Sequence, residues 1–258
     1  MNSPSPSIKL SALAGFPMVQ PGDDLFALLV AGLEQNGVAV QTGDVIVLAQ
    51  KIVSKAEGRL VRLADVVPSA RAEELAREVN KDSRIVELIL SESKSVVTKV
   101  PGVLIVEHRL GYIMANAGID QSNVDHKDGE EYALLLPMDP DESCRQLKAK
   151  LDAHFGAEVA VLINDSFGRP WRLGVTGVAL GSAGVPSLVS LVGKPDLYGR
   201  SMRVSEIAFA DEIAAAASLL MGQTDAGTPV VHLRGLQWDA PQNPAATLIR
   251  PKKQDLFR

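Results

Sequence analysis

The chain has 258 residues, 46% of them hydrophobic and 22% charged, which is enough apolar material to build one large domain or two small ones. A net charge of −5 and only 4% aromatic residues exclude a dedicated nucleic-acid binder or a base-stacking platform. The single cysteine, Cys144, excludes an internal disulfide and a cysteine-based zinc site.

The opening "MNSPSPSIKL" lacks the basic and apolar regions of a signal peptide, and no run of about 18 apolar residues follows it. A cytoplasmic protein with no membrane partner is expected. "PGDDLFALLVAGLEQNG" places acidic residues ahead of Leu and Val at helical spacing and stops at Asn-Gly, so it predicts a helix. "GDVIVLAQKIV" reads as a buried strand that delivers Lys51 and Lys55 at its end. "PSARAEELAREVNKDSRIVELILSES" predicts two short helices, led by Ser69 and Asp82. "SVVTKV" and "VLIVEHR" flank Pro101-Gly102 as a hairpin, with "YIMANAGI" as a third strand. "DPDESCRQLKAKLDAHFG" is a capped helix ending at Gly156 and carrying Cys144 as an ordinary helical residue.

"EVAVLIND" predicts a strand that ends on polar residues, and "LGVTGVALGSAG" a Gly-rich strand with its backbone close to a neighbour. A helix begins near Asp211, where helix-end electrostatics accounts for Asp211 and Glu212, and "TPVVHLRGL" is a last short strand. The final twenty or so residues are polar and proline-containing and read as a loosely attached tail. Strands and helices mix without regular alternation, so the expected class is α+β, with mixed or antiparallel sheets and flanking helices.

Four stretches could carry chemistry. "NAGIDQSNVD" gathers Asn116, Asp120, Asn123 and Asp125, whose oxygens suit a hard cation, although for the stretch taken alone a turn closed by side-chain hydrogen bonds is the favoured reading. "LINDSFGRPWR" puts Asp165, Ser166, Arg169 and Arg172 at a strand end, as metal or phosphate groups or as a polar hairpin turn. "QKIVSKAEGR" offers Lys51 and Lys55 as phosphate charges or as a basic strand end in solvent. "LLMGQTDAGTPVV" is a glycine-bracketed loop able to approach an anion, or a plain connection capped by Gly222. His108, His154 and His232 are scattered at no zinc-ligand spacing, and His126 lies beside the first stretch.

In order, "GDDL", "VSKAEGR", "NAGIDQSNV", "LLLPMDPD", "NDSFGRPWRLGVTGVALGSAG", "DLYGR", "ADEIAAAASLLMGQ" and "GTPVVHLRGL" closely resemble the coenzyme F420-0:L-glutamate ligase family, over roughly residues 8 to 236. The resemblance implies the gamma-glutamyl-ligase fold in an intertwined homodimer. The ligase unit would span residues 1–240, open to division into two intertwined subdomains, with 241–258 as the tail. It also implies GTP as energy source, L-glutamate and coenzyme F420-0 as substrates, two Mg²⁺ or Mn²⁺ ions and a K⁺.

Carried over by motif, the implied catalytic set is Asp120, Asp165 and Lys55. Asp120 and Asp165 match ligands of one metal, and Ser166 and Gln223 match positions for the second. The family often has Thr at the position of Ser166 and Glu at that of Gln223. Gly15, Phe16, Pro17, Met18, Gln50, Lys55 and Asn123 match nucleotide positions, as does the loop Met221, Gly222, Gln223, Thr224, Asp225, Ala226, Gly227 and Thr228. The family usually reads Gly-Leu-Pro where this chain has "GFPM", and often Ser where it has Gln50. The chain stops soon after "HLRGL", so a stand-alone ligase without a fused flavin-binding domain is expected. A ligase acting on another carboxylate acceptor and a nucleotide- and metal-binding regulator without turnover are the competing readings.

Overall fold

The computed structural model describes residues 5–123 and 129–256. Asp125 and His126 lie outside the described residues. The centre is a five-stranded sheet in the order β1 (Lys9–Ala12), β12 (Val230–Arg234), β2 (Val45–Ala49), β8 (Ala160–Arg169) and β9 (Arg172–Ala183). Only β2 and β8 run parallel; the other neighbours are antiparallel. The class is the α+β one expected, and its sheet is mixed.

Both faces of this sheet are covered. One face packs Ile46, Leu48, Val161 and Ile163 against α1 (Leu25–Gln35) and α5 (Pro140–Phe155). The other packs Val45, Val47, Ala160 and Leu162 against the Ala-rich α6 (Phe209–Met221). That division follows from strand geometry, since successive side chains leave opposite faces. It explains why "VIVLA" and "AVLI" read as unbroken apolar runs.

The remaining elements form a second core. Helices α3 (Ala70–Val79) and α4 (Ser83–Ser91) pack Leu75, Val86 and Ile89 against Leu104 and Val106. Those two come from an antiparallel sheet of β4 (Ser93–Val100), β5 (Val103–His108) and β6 (Ile113–Ala115). Two short pairs complete the order: β3 (Leu60–Arg62) with β7 (Tyr132–Leu134), and β10 (Val189–Ser190) with β11 (Glu206–Ile207).

Helix ends fall where local chemistry puts them. Asp24, Ser69, Asp82 and Asp139 each accept a backbone N–H in the first turn of α1, α3, α4 and α5. Pro140 opens α5 and Gly156 closes it at φ +62°.

Three expectations need correction. The "QKIVSKAEGR" stretch is not a strand end: β2 stops at Ala49 and α2 (Gln50–Ala56) begins at once. A continuous apolar run has no period that separates buried strand from buried helix, so the junction is silent in the sequence. Strand β8 does not end at Asp165 but runs on to Arg169 as a hairpin with β9. The C-terminal segment is not loose. The Asp141 carboxylate accepts N–H groups of Ala245 and Ala246 as well as Ser182, and Asn243 Oδ1 accepts those of Ser187 and Leu188. Those bonds fasten it to α5 and to the chain after β9.

Candidate active site

Helix α2 carries Lys51 and Lys55 four residues apart, so both side chains leave one face. Lys51 Nζ lies 2.7 Å from Asp120 Oδ2 and donates to Ser122 Oγ at 2.7 Å. Ser122 in turn donates its N–H and its hydroxyl to the Asp120 carboxylate, at 2.7 and 2.9 Å. Burial alone would raise the Asp120 pKa, but these partners outweigh it and hold the group below the ordinary carboxylate range.

Asp165 stands on β8 within the field of the same two charges. Burial, and secondarily the Asp120 charge, push its carboxyl up to about 6, against the pull of Lys51 and the Ser166 N–H. Two carboxylates thus share one lysine, and their protonation tendencies are driven apart.

The "NAGIDQSN" stretch is shaped to present Asp120. Asn116, Ala117 and Gly118 all have positive φ, a run that non-glycine residues adopt only under constraint. Gly118 is pressed against Met114 and Leu136, where a Cβ would clash. Asn116 Oδ1 accepts the Leu104 N–H, so its role is to tie the turn to β5. The plain turn reading therefore holds for Asn116.

Asn123, also at positive φ, links three expected pieces. Its carbonyl accepts from Lys55 Nζ at 2.8 Å, and its Nδ2 donates to Thr224 O at 3.0 Å. That bond joins the Asp120 turn to the loop after α6. Lys55, Asn123 and Leu60 line a cleft of about 290 Å³ with Met18, Val19, Gln20 and Pro21. The "GFPM", "VSKAEGR" and "NAGIDQSN" pieces, far apart in sequence, meet there.

Other expected residues sit differently. Gly15 turns the chain at φ +69°, and Phe16 packs over Gly32 of α1. Of that stretch Met18 reaches the cleft. Gln50 is buried, with its side-chain oxygen accepting from Ser54 Oγ at 2.9 Å. Ser166 follows Asp165 on a regular strand, so it leaves the opposite face, the side on which Asn164 donates to Ser218 of α6. Gly222 to Gly227, including Gln223, Asp225 and Ala226, form an exposed loop, and Thr228 Oγ1 returns to the Leu220 carbonyl. Arg169 and Arg172 face each other at the exposed tip of the β8–β9 hairpin.

The donor set fits a divalent cation. Asp120 and Asp165 supply hard anionic oxygens around a site where a lysine ammonium already sits as counter-charge. Among the described residues no third His, Cys, Asp or Glu joins them. Mg²⁺ characteristically completes its shell with waters and phosphate oxygens.

Ser122 is the group that motif reading did not single out. Lys51 was read there as a phosphate charge, and its place beside Asp120 follows once α2 is a helix.

A model of the F420-0:gamma-glutamyl ligase family matches residues 15–235. The chain is 43% identical to a coenzyme F420:L-glutamate ligase of Methanothermobacter thermautotrophicus, over 97% of this chain and 99% of that one. It is 42% identical to a protein of that name from Methanopyrus kandleri, over 98% of each chain. A third, from Archaeoglobus fulgidus, is 39% identical over 97% of this chain and 96% of its own. The chain belongs to the F420-0:gamma-glutamyl ligase family.

Proposed function

We propose that this protein is a ligase of coenzyme F420 biosynthesis that joins L-glutamate to the terminal carboxylate of coenzyme F420-0 at the expense of GTP. The observation that carries the reading is the pairing of Asp120 and Asp165 around Lys51, on the helix that also sends Lys55 into the cleft. The family's relatives, named for this reaction, run the length of the chain.

A carboxylate is a poor acyl donor until its oxygen becomes part of a good leaving group. Transfer of the GTP γ-phosphoryl group to the acceptor carboxylate gives an acyl phosphate and GDP. The amine of L-glutamate then attacks the acyl carbon, an amide forms and phosphate departs with the C–O electron pair. The same cycle on the new γ-carboxylate would extend a γ-linked tail.

Catalysis of this kind is alignment and charge neutralisation. Lys55 and Lys51 supply fixed positive charge on one helix face. Asn123 holds the loop from Met221 to Thr228 against the cleft, so that the loop can close over a nucleotide. Asp120 and Asp165 would hold Mg²⁺ or Mn²⁺, with Ser166 and Gln223 on the α6 side for a second ion. Bound cations would neutralise phosphate charge. K⁺ is carried over from the family without a residue assigned.

A homodimer belongs to the proposal. At the β8–β9 tip Trp171, Leu173 and Val175 are exposed, Leu173 fully so. An apolar projection of this kind fits burial against a second copy.

The test is product mass after incubation with GTP, Mn²⁺, L-glutamate and F420-0. A gain of one or more glutamyl units is expected. GTP binding with no mass gain would replace the ligase by a regulator. A gain seen only on another carboxylate would replace the acceptor.

A further inference from the structure

A second cavity, of about 230 Å³, opens beside the edge strand β9. Its walls include Tyr112, Phe167, Val178, Asp211, Ile249 and Arg250. None of these belongs to the nucleotide or metal positions carried over from the family.

Two features tie the cavity to the reacting centre. Val178 is the direct cross-strand partner of Asp165, so the two side chains stand together on one sheet face. Phe167 is the next residue of β8 on that same face, roughly 7 Å further along. The cavity's wall is therefore built in part from the strand neighbours of the carboxylate assigned to the metal.

The lining decides what fills it. Tyr112 and Phe167 meet edge to face, with centroids 5.9 Å apart, and Val178 and Ile249 are apolar. The Tyr112 hydroxyl already donates to Leu180 O at 2.6 Å, so it is the ring that this residue offers. The charged groups of the lining are Asp211, which accepts the Ala179 N–H, Arg250 and Asp255. A largely apolar slot with carboxylate acceptors and an arginine donor on its wall suits a flat fused ring whose rim carries an N–H and carbonyls. At about 230 Å³ the cavity has room for one ring system.

We infer that this cavity binds the deazaflavin ring of the acceptor, with its pyrimidinedione edge toward Asp211 and Arg250 and its tail leading past Phe167 to Asp165. The inference rests on the proposed F420-0 ligase activity and adds the place of the acceptor. It also gives the docked C-terminal segment a task, because Ile249 and Arg250 come from it.

The test follows the intrinsic fluorescence of F420-0 titrated with protein, with GTP binding in the presence of Mn²⁺ measured separately. Phe167→Ala removes one wall, and Ile249→Trp plugs the cavity from the other side. Each should weaken F420-0 binding at least tenfold and leave GTP affinity within about twofold. Lumichrome, a bare tricyclic ring, should compete with F420-0 on the unmodified protein, which keeps the result independent of how a variant folds. Unchanged F420-0 affinity in the folded variants, or no competition by lumichrome, would overturn the inference. A parallel fall in GTP affinity would give the cavity to the nucleotide base instead. Failure of the unmodified protein to glutamylate F420-0 while binding it at this cavity would sink the activity and leave the site standing.

Discussion

At the residue scale, the unusual feature is one ammonium that pairs with Asp120 and whose field reaches a second carboxylate, Asp165. Lys51 satisfies Asp120 directly and restrains the charge-averse Asp165. Asp120→Asn and Asp165→Asn should each lower glutamate addition by roughly 100-fold or more, with the fold intact by circular dichroism. Full activity in either would remove it from the site. Lys51→Met should bind Mn²⁺ a few-fold more tightly, since an exposed ion pair is worth at most about 1 kcal/mol, and should turn over more slowly. Spin-resonance titration with Mn²⁺ reads the first effect, and weaker binding would show that Lys51 does not occupy the cation's place.

Away from the site, Glu92 gathers Arg59, Arg109 and His108. Burial pushes its carboxyl up, but the three hydrogen-bonding partners outweigh burial and bring it down to about 2. A lowered pKa contributes stability that is present above the ordinary value of 4.5 and lost as pH falls toward 2. Glu92→Gln should therefore cost about 3 kcal/mol at pH 7, and the gap should close in that acid window. Denaturant titration at several pH values checks it; a gap independent of pH would exclude the ionic origin.

At the element scale, the glycines of β9 were legible as a sign of close approach, and the structure says to what. A Cβ on Gly177 would run into Ser218 and the Ala214 carbonyl of α6; one on Gly181 would run into the Pro140 carbonyl of α5. The glycines let one strand lie directly under two helices, one on each face. Gly177→Ala should destabilise the protein by about 1–3 kcal/mol through overpacking, read as a lower denaturation midpoint. A neutral result would mean α6 can slide. By contrast the α2 helix was hidden in "VIVLAQKIV", because a buried helix and a buried strand look alike over so few residues.

At the scale of the whole molecule, the exposed apolar tip of the β8–β9 hairpin is the feature a single chain does not explain. Trp171→Glu should turn the proposed dimer into a monomer in light scattering at micromolar concentration. A dimer of unchanged mass in the variant would place the interface elsewhere, and a monomer without the substitution would remove the dimer. Among the described residues no helix is long and apolar enough to cross a bilayer.

The sequence by itself determined the α+β class, the helix caps at Ser69 and Asp82, the β4–β5 hairpin and the order of motifs that carries the family. These are local facts: a cap, a turn or a motif is complete within a few residues. Tertiary structure alone decided that Lys51 stands at Asp120, that Asn123 holds the loop at Thr224, and that Asp165 and Ser166 face opposite ways in an unbroken strand. It also decided that the last residues dock on Asp141 and wall the cavity beside Phe167. Each of those contacts joins groups 40 or more positions apart or depends on which face a side chain takes. Polar residues in a short stretch carry no record of the distant partner that will neutralise them.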